Sequence, residues 1–321
     1  MDIKQFEEFQ YIEVKHEITI LKYMGRASFV IVPENIDNLP VTIIYQDAFR
    51  DCNFISKIKI PDSVYKLGDY SFCACSGLTE FSFHKNIEEI GRHVFYNCRG
   101  LRKLELPDVI KDIGDGAFKN CEQINQLVIK ANSEKLLSLK YTLDSLSQNV
   151  FVRIIYYKNQ IEEKAALVFP KDAVFYAYYT SRLYDKTTFG IGNQYHYCIG
   201  DGTIDYSRYD SLFLGAKNEL EEDILCQIAL ARVMFPYKLE QIYADRYKSY
   251  INEKLNDIVY KGIDTDNIEI LDFITKENLI KEDVIEEYIN YARDCNKIQI
   301  VSYLLTYQNQ NFNKRNREFI L

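Results

Sequence analysis

The sequence predicts an α/β repeat fold followed by an α-helical one: a short solenoid of stacked coils with a parallel sheet, fused to a mostly α-helical C-terminal domain. Three observations carry this. Between Phe49 and Cys121 a Phe-x-x-Cys pair returns every 23 residues. Within each repeat a short run alternates apolar and polar residues, as a half-buried strand does. From Asp210 onward apolar residues fall instead at three- and four-residue spacing, the period of an amphipathic helix.

The repeat is defined column by column. Phe49, Phe72, Phe95 and Phe118 open it, and Cys52, Cys75, Cys98 and Cys121 follow. The same step relates Ile55, Leu78, Leu101 and Ile124; Ile58, Phe81, Leu104 and Leu127; and Ile60, Phe83, Leu106 and Ile129. Val64, Ile87 and Ile110, then Leu67, Ile90 and Ile113, and then Gly68, Gly91 and Gly114 complete the unit. A fixed period of about 20–29 residues around an L-x-x-L-x-L core marks a leucine-rich solenoid. The runs "ISKIKI", "LTEFSF", "LRKLEL" and "INQLVI" supply its parallel strands. Phe-x-x-Cys is expected on a short helical turn with Phe, Cys and the following Ile or Leu inward. The glycine supplies a turn that a Cβ would obstruct.

One inward cysteine per coil forms a ladder with rungs about 4.8 Å apart. Tetrahedral zinc needs four ligands converging on one point, which a ladder cannot offer. Parallel Cβ vectors disfavour disulfides between rungs. The expected role is a small buried hydrophobe. Cys73, out of register, is expected to be a surface thiol.

The unit "DAFRDCNFISKIKIPDSVYKLG", Asp47 to Gly68, resembles the leucine-rich repeat of the bacterial BspA-like family. The approach, "ITILKYMGRASFVIVPENIDNLPVTII", is similar to that family's entry coil. The resemblance covers about residues 11–130. It implies a curved solenoid with a sheet along one face and a role in binding proteins or other macromolecules. Many relatives are surface proteins and some are adhesins. This chain departs from them in having few repeats and no visible export signal, and in placing His84 and Lys130 where the family often has proline. The domain expectation is a solenoid over 1–130 with units starting near 47, 70, 93 and 116, a linker helix over 131–150, and a mostly helical domain over 151–321.

In that second part "NVFVRIIYYK" is strand-like. "KDAVFYAYYTSRLYDKTTF" reads as helical and "GIGNQYHYCIGDG" as a loop or hairpin. "NIEILDFITKENLI" and "KIQIVSYLLTYQNQ" align at a step of 30, and the form of the second resembles the second helix of an ankyrin repeat. An ankyrin-like pair is therefore expected over about 263–308.

Composition narrows the function. The formal net charge is −8 over 321 residues, and Asp and Glu outnumber Lys and Arg on both sides of Lys130. No basic face for a phosphate backbone is predicted; the tail residues Lys314, Arg315 and Arg317 read as a solvated terminus. No apolar run reaches the roughly 18–20 residues of a membrane span. "MDIKQFEEFQ" is acidic where a signal peptide is basic. Eight cysteines then fit a reducing cytoplasm.

No catalytic set is predicted. Of the four histidines, His16, His84, His93 and His196, His84 and His93 read as surface residues. His196 beside Cys198 is the one place for a Cys–His pair, although no family signature surrounds it and a structural turn is the expectation. "GIGNQY" lacks the third glycine of a dinucleotide fingerprint. "DTDN", Asp264 to Asn267, reads as a helix cap rather than a calcium loop. No cofactor or metal is expected.

The expected function is a non-enzymatic interaction module or scaffold that binds another protein, with neither nucleic acid nor membrane as partner. Its candidate concave face is set by the residues between the inward columns: Lys57, Lys59, Glu80, Ser82, Lys103, Glu105, Gln126 and Val128. These positions do not keep a residue type from coil to coil, so packing does not dictate them. Mixed charge is also what a merely solvated face would show. The tyrosine-rich stretch from Tyr176 to Tyr184 is a second candidate interface. An enzyme or effector with a site in 146–235 targeted by the repeats, and a surface adhesion protein, are the alternatives.

Overall fold

A computed structural model describes residues 2–158, 161–171, 173–178 and 184–312, with side chains omitted over 173–189. The alternating runs form strands, and the coil passes back and forth between two sheet faces. The chain opens with β1 (Lys4–Phe6), β2 (Phe9–Val14), β3 (Glu17–Tyr23), β4 (Phe29–Ile31), β5 (Asn35–Ile36) and β6 (Leu39–Ile44). The repeats supply β7 (Lys57–Lys59), β8 (Lys66–Leu67), β9 (Glu80–Ser82), β10 (Glu89–Ile90), β11 (Lys103–Pro107), β12 (Asp112–Ile113) and β13 (Gln126–Ala131). One face runs β1-β2-β3-β6-β8-β10-β12 and is parallel from β3 onward, with β5 paired to β6. On the other face β9, β11 and β13 run in parallel register, and β4 and β7 form a separate parallel pair with β7 lying next to β9.

Between the faces each inward side chain lies on its counterpart one coil away. Phe49, Phe72, Phe95 and Phe118 are fully buried. Their rings stack nearly parallel, with centroids at 4.9, 5.4 and 5.6 Å. Phe9 and Tyr23 continue the pile at its N-terminal end. The thiols of Cys75, Cys98 and Cys121 donate to the carbonyls of Phe49, Phe72 and Phe95 at 3.1, 3.1 and 2.9 Å. These three rungs therefore join successive coils by a weak hydrogen bond as well as by packing. Burial pushes the Cys75 thiol well above its ordinary value.

The Phe-x-x-Cys segment is not helical. Its N–H groups alternate between a partner three residues back, as from Cys98 to Phe95, and a carbonyl of the next coil, as from Phe95 to Ala117. A helix would satisfy every N–H internally and leave none to bind the neighbouring coil. The alternation requires left-handed residues, and Tyr70 and Ala74, His93 and Asn97, and Gly116 and Asn120 take positive φ at the same step of 23. The other glycine column acts by close approach. A Cβ on Gly68 would lie 2.5 Å from the backbone nitrogen of Gln46, and one on Gly114 would lie 2.6 Å from that of Arg92.

Cys73 is buried rather than a surface thiol. His84 and His93 are half-buried. His93 stacks on Tyr70 at 5.0 Å, and burial pulls the His84 pKa down.

The solenoid's compact unit continues past Lys130 to Glu221 and includes Tyr237–Leu239. Helix α1 (Leu137–Asp144) packs against β11 and β12 and buries Leu139 and Leu143, so it caps the solenoid rather than linking it to something else. β14 (Val150–Lys158) adds to β13 in parallel, and β15 (Ile161–Phe169) folds back antiparallel on β14. The edge of β15 is closed by Tyr209, whose hydroxyl accepts from the Val168 N–H and donates to the Val168 carbonyl. The segment that reads as helical forms an antiparallel pair, β16 (Ala173–Tyr178) and β17 (Tyr184–Phe189). The glycine-rich segment starts as helix α2 (Gly190–His196) and turns back only at an Ile199–Ile204 bridge. Helices α3 (Tyr206–Ser211) and α4 (Phe213–Ala216) complete this unit.

The second unit, from Glu222 apart from Tyr237–Leu239, is helical: α5 (Glu222–Met234), α6 (Gln241–Glu253), α7 (Leu255–Asp264), α8 (Ile268–Lys276), α9 (Ile285–Asp294) and α10 (Ile298–Asn311). The step of 30 is visible in its backbone. Asp266 and Asn296 both take positive φ one residue before a helix cap. Asn267 caps α8 by accepting from the Ile270 N–H, as "DTDN" predicts. Leu271 and Ile274 of α8 and Leu304 of α10 are buried.

Two outcomes follow from the stack. Phe95→Ala removes a ring held on both sides and edge-on by Phe81, and should cost about 3–5 kcal/mol in urea denaturation, whereas Gln126→Ala at an exposed site should change stability by less than about 0.5 kcal/mol. Cys98→Ala should cost about 1–2 kcal/mol through lost packing and a lost hydrogen bond, and metal analysis of the purified protein should find no stoichiometric zinc.

Candidate functional site

Strand pleating turns every second side chain of β7, β9, β11 and β13 away from the core. The eight sequence-predicted residues all lie there, in two rows. Strand register places Glu80, Lys103 and Gln126 side by side in one row, and Ser82, Glu105 and Val128 in the other. Lys57 reaches Glu80 at 3.7 Å and so belongs to the first row. Lys59 stands two residues further along β7, in the second. Lys57, Lys59, Glu80, Ser82 and Gln126 are exposed, while Lys103, Glu105 and Val128 are half-buried. Lys130 forms an ion pair with Glu105.

Sequence reasoning missed both ends of these rows. Register adds Phe29 before Lys57 and Ile31 before Lys59, and these are 50 % and 58 % exposed. At the other end it adds Phe151 after Gln126 and Arg153 after Val128, with the Arg153 guanidinium 5.9 Å from the Phe151 ring. The spacings, 28 residues from Phe29 to Lys57 and 25 from Gln126 to Phe151, break the period of 23, so a search at one step passes over them.

The opposite sheet carries a second feature. An open groove of about 1290 Å³ lies on it. Ile12, Val14, Leu21, Ile43, Tyr45 and Tyr65 line one part, and the ion pairs Lys66–Glu89 (2.6 Å) and Arg92–Asp69 (2.9 Å) line another. Gly68, Gly91 and Gly114 border it, so the glycine column that lets coils approach also leaves this surface without side chains. The glycines were legible; the apolar β2–β3 wall comes from a hairpin outside the repeat.

A third cluster ties the end of the unit together. Glu134 accepts from Lys238 at 2.7 Å, Lys158 at 3.2 Å and the Tyr237 hydroxyl at 3.2 Å. Tyr237 stacks on Tyr156 at 4.6 Å, and the hydroxyls of Tyr156 and Tyr206 share a hydrogen bond. The Lys238 and Lys158 ammonium groups hold the Glu134 carboxyl down at about 2. The side chains of Tyr176 to Tyr184, the second candidate interface, lie outside the described residues, as do Lys314, Arg315 and Arg317.

The Cys–His candidate is not an activated nucleophile. Cys198 is buried, its thiol approaches the Gln194 carbonyl at 3.5 Å, and burial pushes it up to about 12. A reactive cysteine needs the opposite shift. His196 stands edge-on to Phe169. No group of three or more metal-ligating side chains occurs among the described residues, and no described helix is long and apolar enough to cross a membrane.

Residues 42–162 match the profile of the BspA type leucine rich repeat region, in six copies. The match runs on past Lys130 through β14, the strand that the structure adds to the repeat sheet. Among solved structures the chain is similar to the leucine rich repeat protein TpLRR of T. pallidum, at 26 % identity over 40 % of this chain and 71 % of that one, with a TM-score of 0.35. It is also similar to a leucine-rich repeat protein of Bacteroides capillosus, at 22 % identity over 40 % of this chain and 97 % of that one, with a TM-score of 0.36. No curated protein matches.

The Glu134 cluster has a pH signature. A carboxyl held at about 2 against an ordinary 4.5 stabilises the fold above its unfolded value and loses that contribution as pH falls through the folded one. Calorimetry from neutral pH down to about 2 should show Glu134→Gln with a lower Tm near neutrality and a shallower acid decline than the parent.

Proposed function

Residues 42–162 being a BspA-type leucine-rich repeat region, we propose that this chain is a non-enzymatic protein-interaction module that holds another protein against the outward rows of its repeat sheet. The observation that carries this is the pair of rows itself. Register carries them from Phe29 and Ile31 to Lys57 and Lys59, and from Glu80 and Ser82 to Phe151 and Arg153, and the Lys57–Glu80 ion pair joins the two stretches. An apolar end at Phe29 and Ile31 beside a charged middle supplies both anchors and orienting charges for a partner. Solubility alone accounts for the charges but not for Phe29 and Ile31.

A cytoplasmic location is part of the reading. It is supported by cysteine chemistry: four thiols of the repeat are spent on packing and three of them on hydrogen bonds between coils, a use that persists where thiols stay reduced. The stretch over about 263–308, with helices α8 and α10, is read as ankyrin-like, supported by the left-handed residues Asp266 and Asn296 that precede these helices at a step of 30. It would offer a second, smaller docking element.

The test is affinity capture from the native host with mass spectrometry, followed by binding measurements on the partner. Lys59→Glu with Lys103→Glu should weaken that binding at least tenfold, mostly at low salt, with Tm unchanged. Unchanged affinity would remove the sheet face from consideration and leave the groove on the opposite sheet.

A further inference from the structure

The sheet edges of the solenoid are treated differently. Beyond β3, one sheet ends in the β1–β2 hairpin, whose last strand carries Lys4 paired with Glu13 at 3.2 Å. Its other end, at β12, is covered by α1. The opposite sheet ends at β15, where Tyr209 fills half of the edge and Glu162, Glu163 and Lys164 occupy the other half. Charges and plugs of this kind prevent edge-to-edge pairing. The remaining edge, β4, has neither.

β4 makes one ladder only, to β7. The Ser28 carbonyl accepts from the Lys57 N–H and the Val32 N–H donates to the Lys59 carbonyl. By alternation residues 28, 30 and 32 face β7, so the N–H and C=O of Phe29 and Ile31 point to the open side. Their side chains are exposed, while Val30 between them is buried at 3 %. Pro33 has no N–H, so it ends any new ladder after Ile31.

We infer that β4 is a self-pairing edge, on which a second copy of this chain docks its own β4 antiparallel across a two-fold axis at Val30. The segment is complementary to itself in three independent respects. Rotation about Val30 sets Phe29 of one copy opposite Ile31 of the other, and the two residues whose backbone groups point outward exchange four hydrogen bonds. It also makes two cross-strand pairs of an aromatic with a β-branched residue, a favourable combination. The third respect is charge. Arg26 and Glu34 flank the strand at equal distance in sequence from Val30, so the rotation sets the Arg26 end of each copy beside the Glu34 end of the other. Both are exposed, and neither has an ion-pair partner among the described residues. A two-fold contact of this kind is closed, so it stops at a dimer. The outward rows of the two copies would then continue into one another across the β4 strands.

Sedimentation velocity and light scattering on the full chain, from micromolar to millimolar concentration, test this. The expected result is a monomer–dimer equilibrium. Phe29→Lys and Ile31→Lys should each abolish the dimer while leaving Tm unchanged, since both side chains are exposed. Arg26→Glu places like charges at both ends of the ladder and should raise the dimer Kd about tenfold; adding Glu34→Arg should restore it. Three results would each overturn the inference: a monomer throughout the range, whether the edge then stays bare or takes a strand from another protein; a dimer that survives Phe29→Lys and Ile31→Lys; or a charge swap that fails to restore association.

Discussion

Every coil of this solenoid rests on a like coil, and the contact that enforces this is the column of phenylalanine rings with its cysteine rungs. The rings stack nearly parallel, and each of three thiols reaches back to a phenylalanine carbonyl in the preceding coil. The four phenylalanine rings stack this closely, one on the next, because their coils share one length and one register. The period of 23 is thus a packing constraint before it is a sequence pattern. Stability in such an array lies in the interfaces between coils, since no coil buries its apolar face alone.

The same constraint separates the residues that are free from those that are not. Inward columns must stack on themselves, and they keep their character from coil to coil. Outward positions touch only their flanking neighbours, and there Lys, Glu, Ser, Gln and Val succeed one another. The surface chemistry of the sheet is therefore decoupled from its stability, which suits a binding face. Glycine links the two levels. Gly68, Gly91 and Gly114 are required because a Cβ would strike the preceding backbone, and their lack of side chains opens the groove on the second sheet.

A stack must also end. At the C-terminal side the chain invests α1, β14, β15 and the Tyr209 plug in closing it, and the Glu134 cluster fastens Tyr237 and Lys238 to the same unit. At the N-terminal side Phe9 and Tyr23 finish the ring column, and the β1–β2 hairpin extends one sheet only. The asymmetry leaves β4 with an open ladder flanked by the exposed side chains of Phe29 and Ile31.

The sequence by itself determined the repeat: its period, its inward columns, the strands at "LTEFSF" and "LRKLEL", and the outward rows. All of these follow from burial acting on residues at a constant step. It also determined the cap at Asn267, which is local chemistry. Tertiary structure decided the rest, wherever a segment's partner lies in another coil. Phe-x-x-Cys has the spacing of a helical turn, yet its N–H groups are shared with the next coil, and that sharing forces left-handed residues at Tyr70 and Ala74. Cys73 looks unplaced by period but is buried. Ala173–Tyr178 and Tyr184–Phe189 lie in a stretch with helix-like spacing and form two strands. Leu137 to Asp144 reads as a link and caps a sheet end. Phe29, Ile31, Phe151 and Arg153 join the outward rows through hydrogen-bond register across loops of other lengths, and no fixed-period reading of a single chain contains that register.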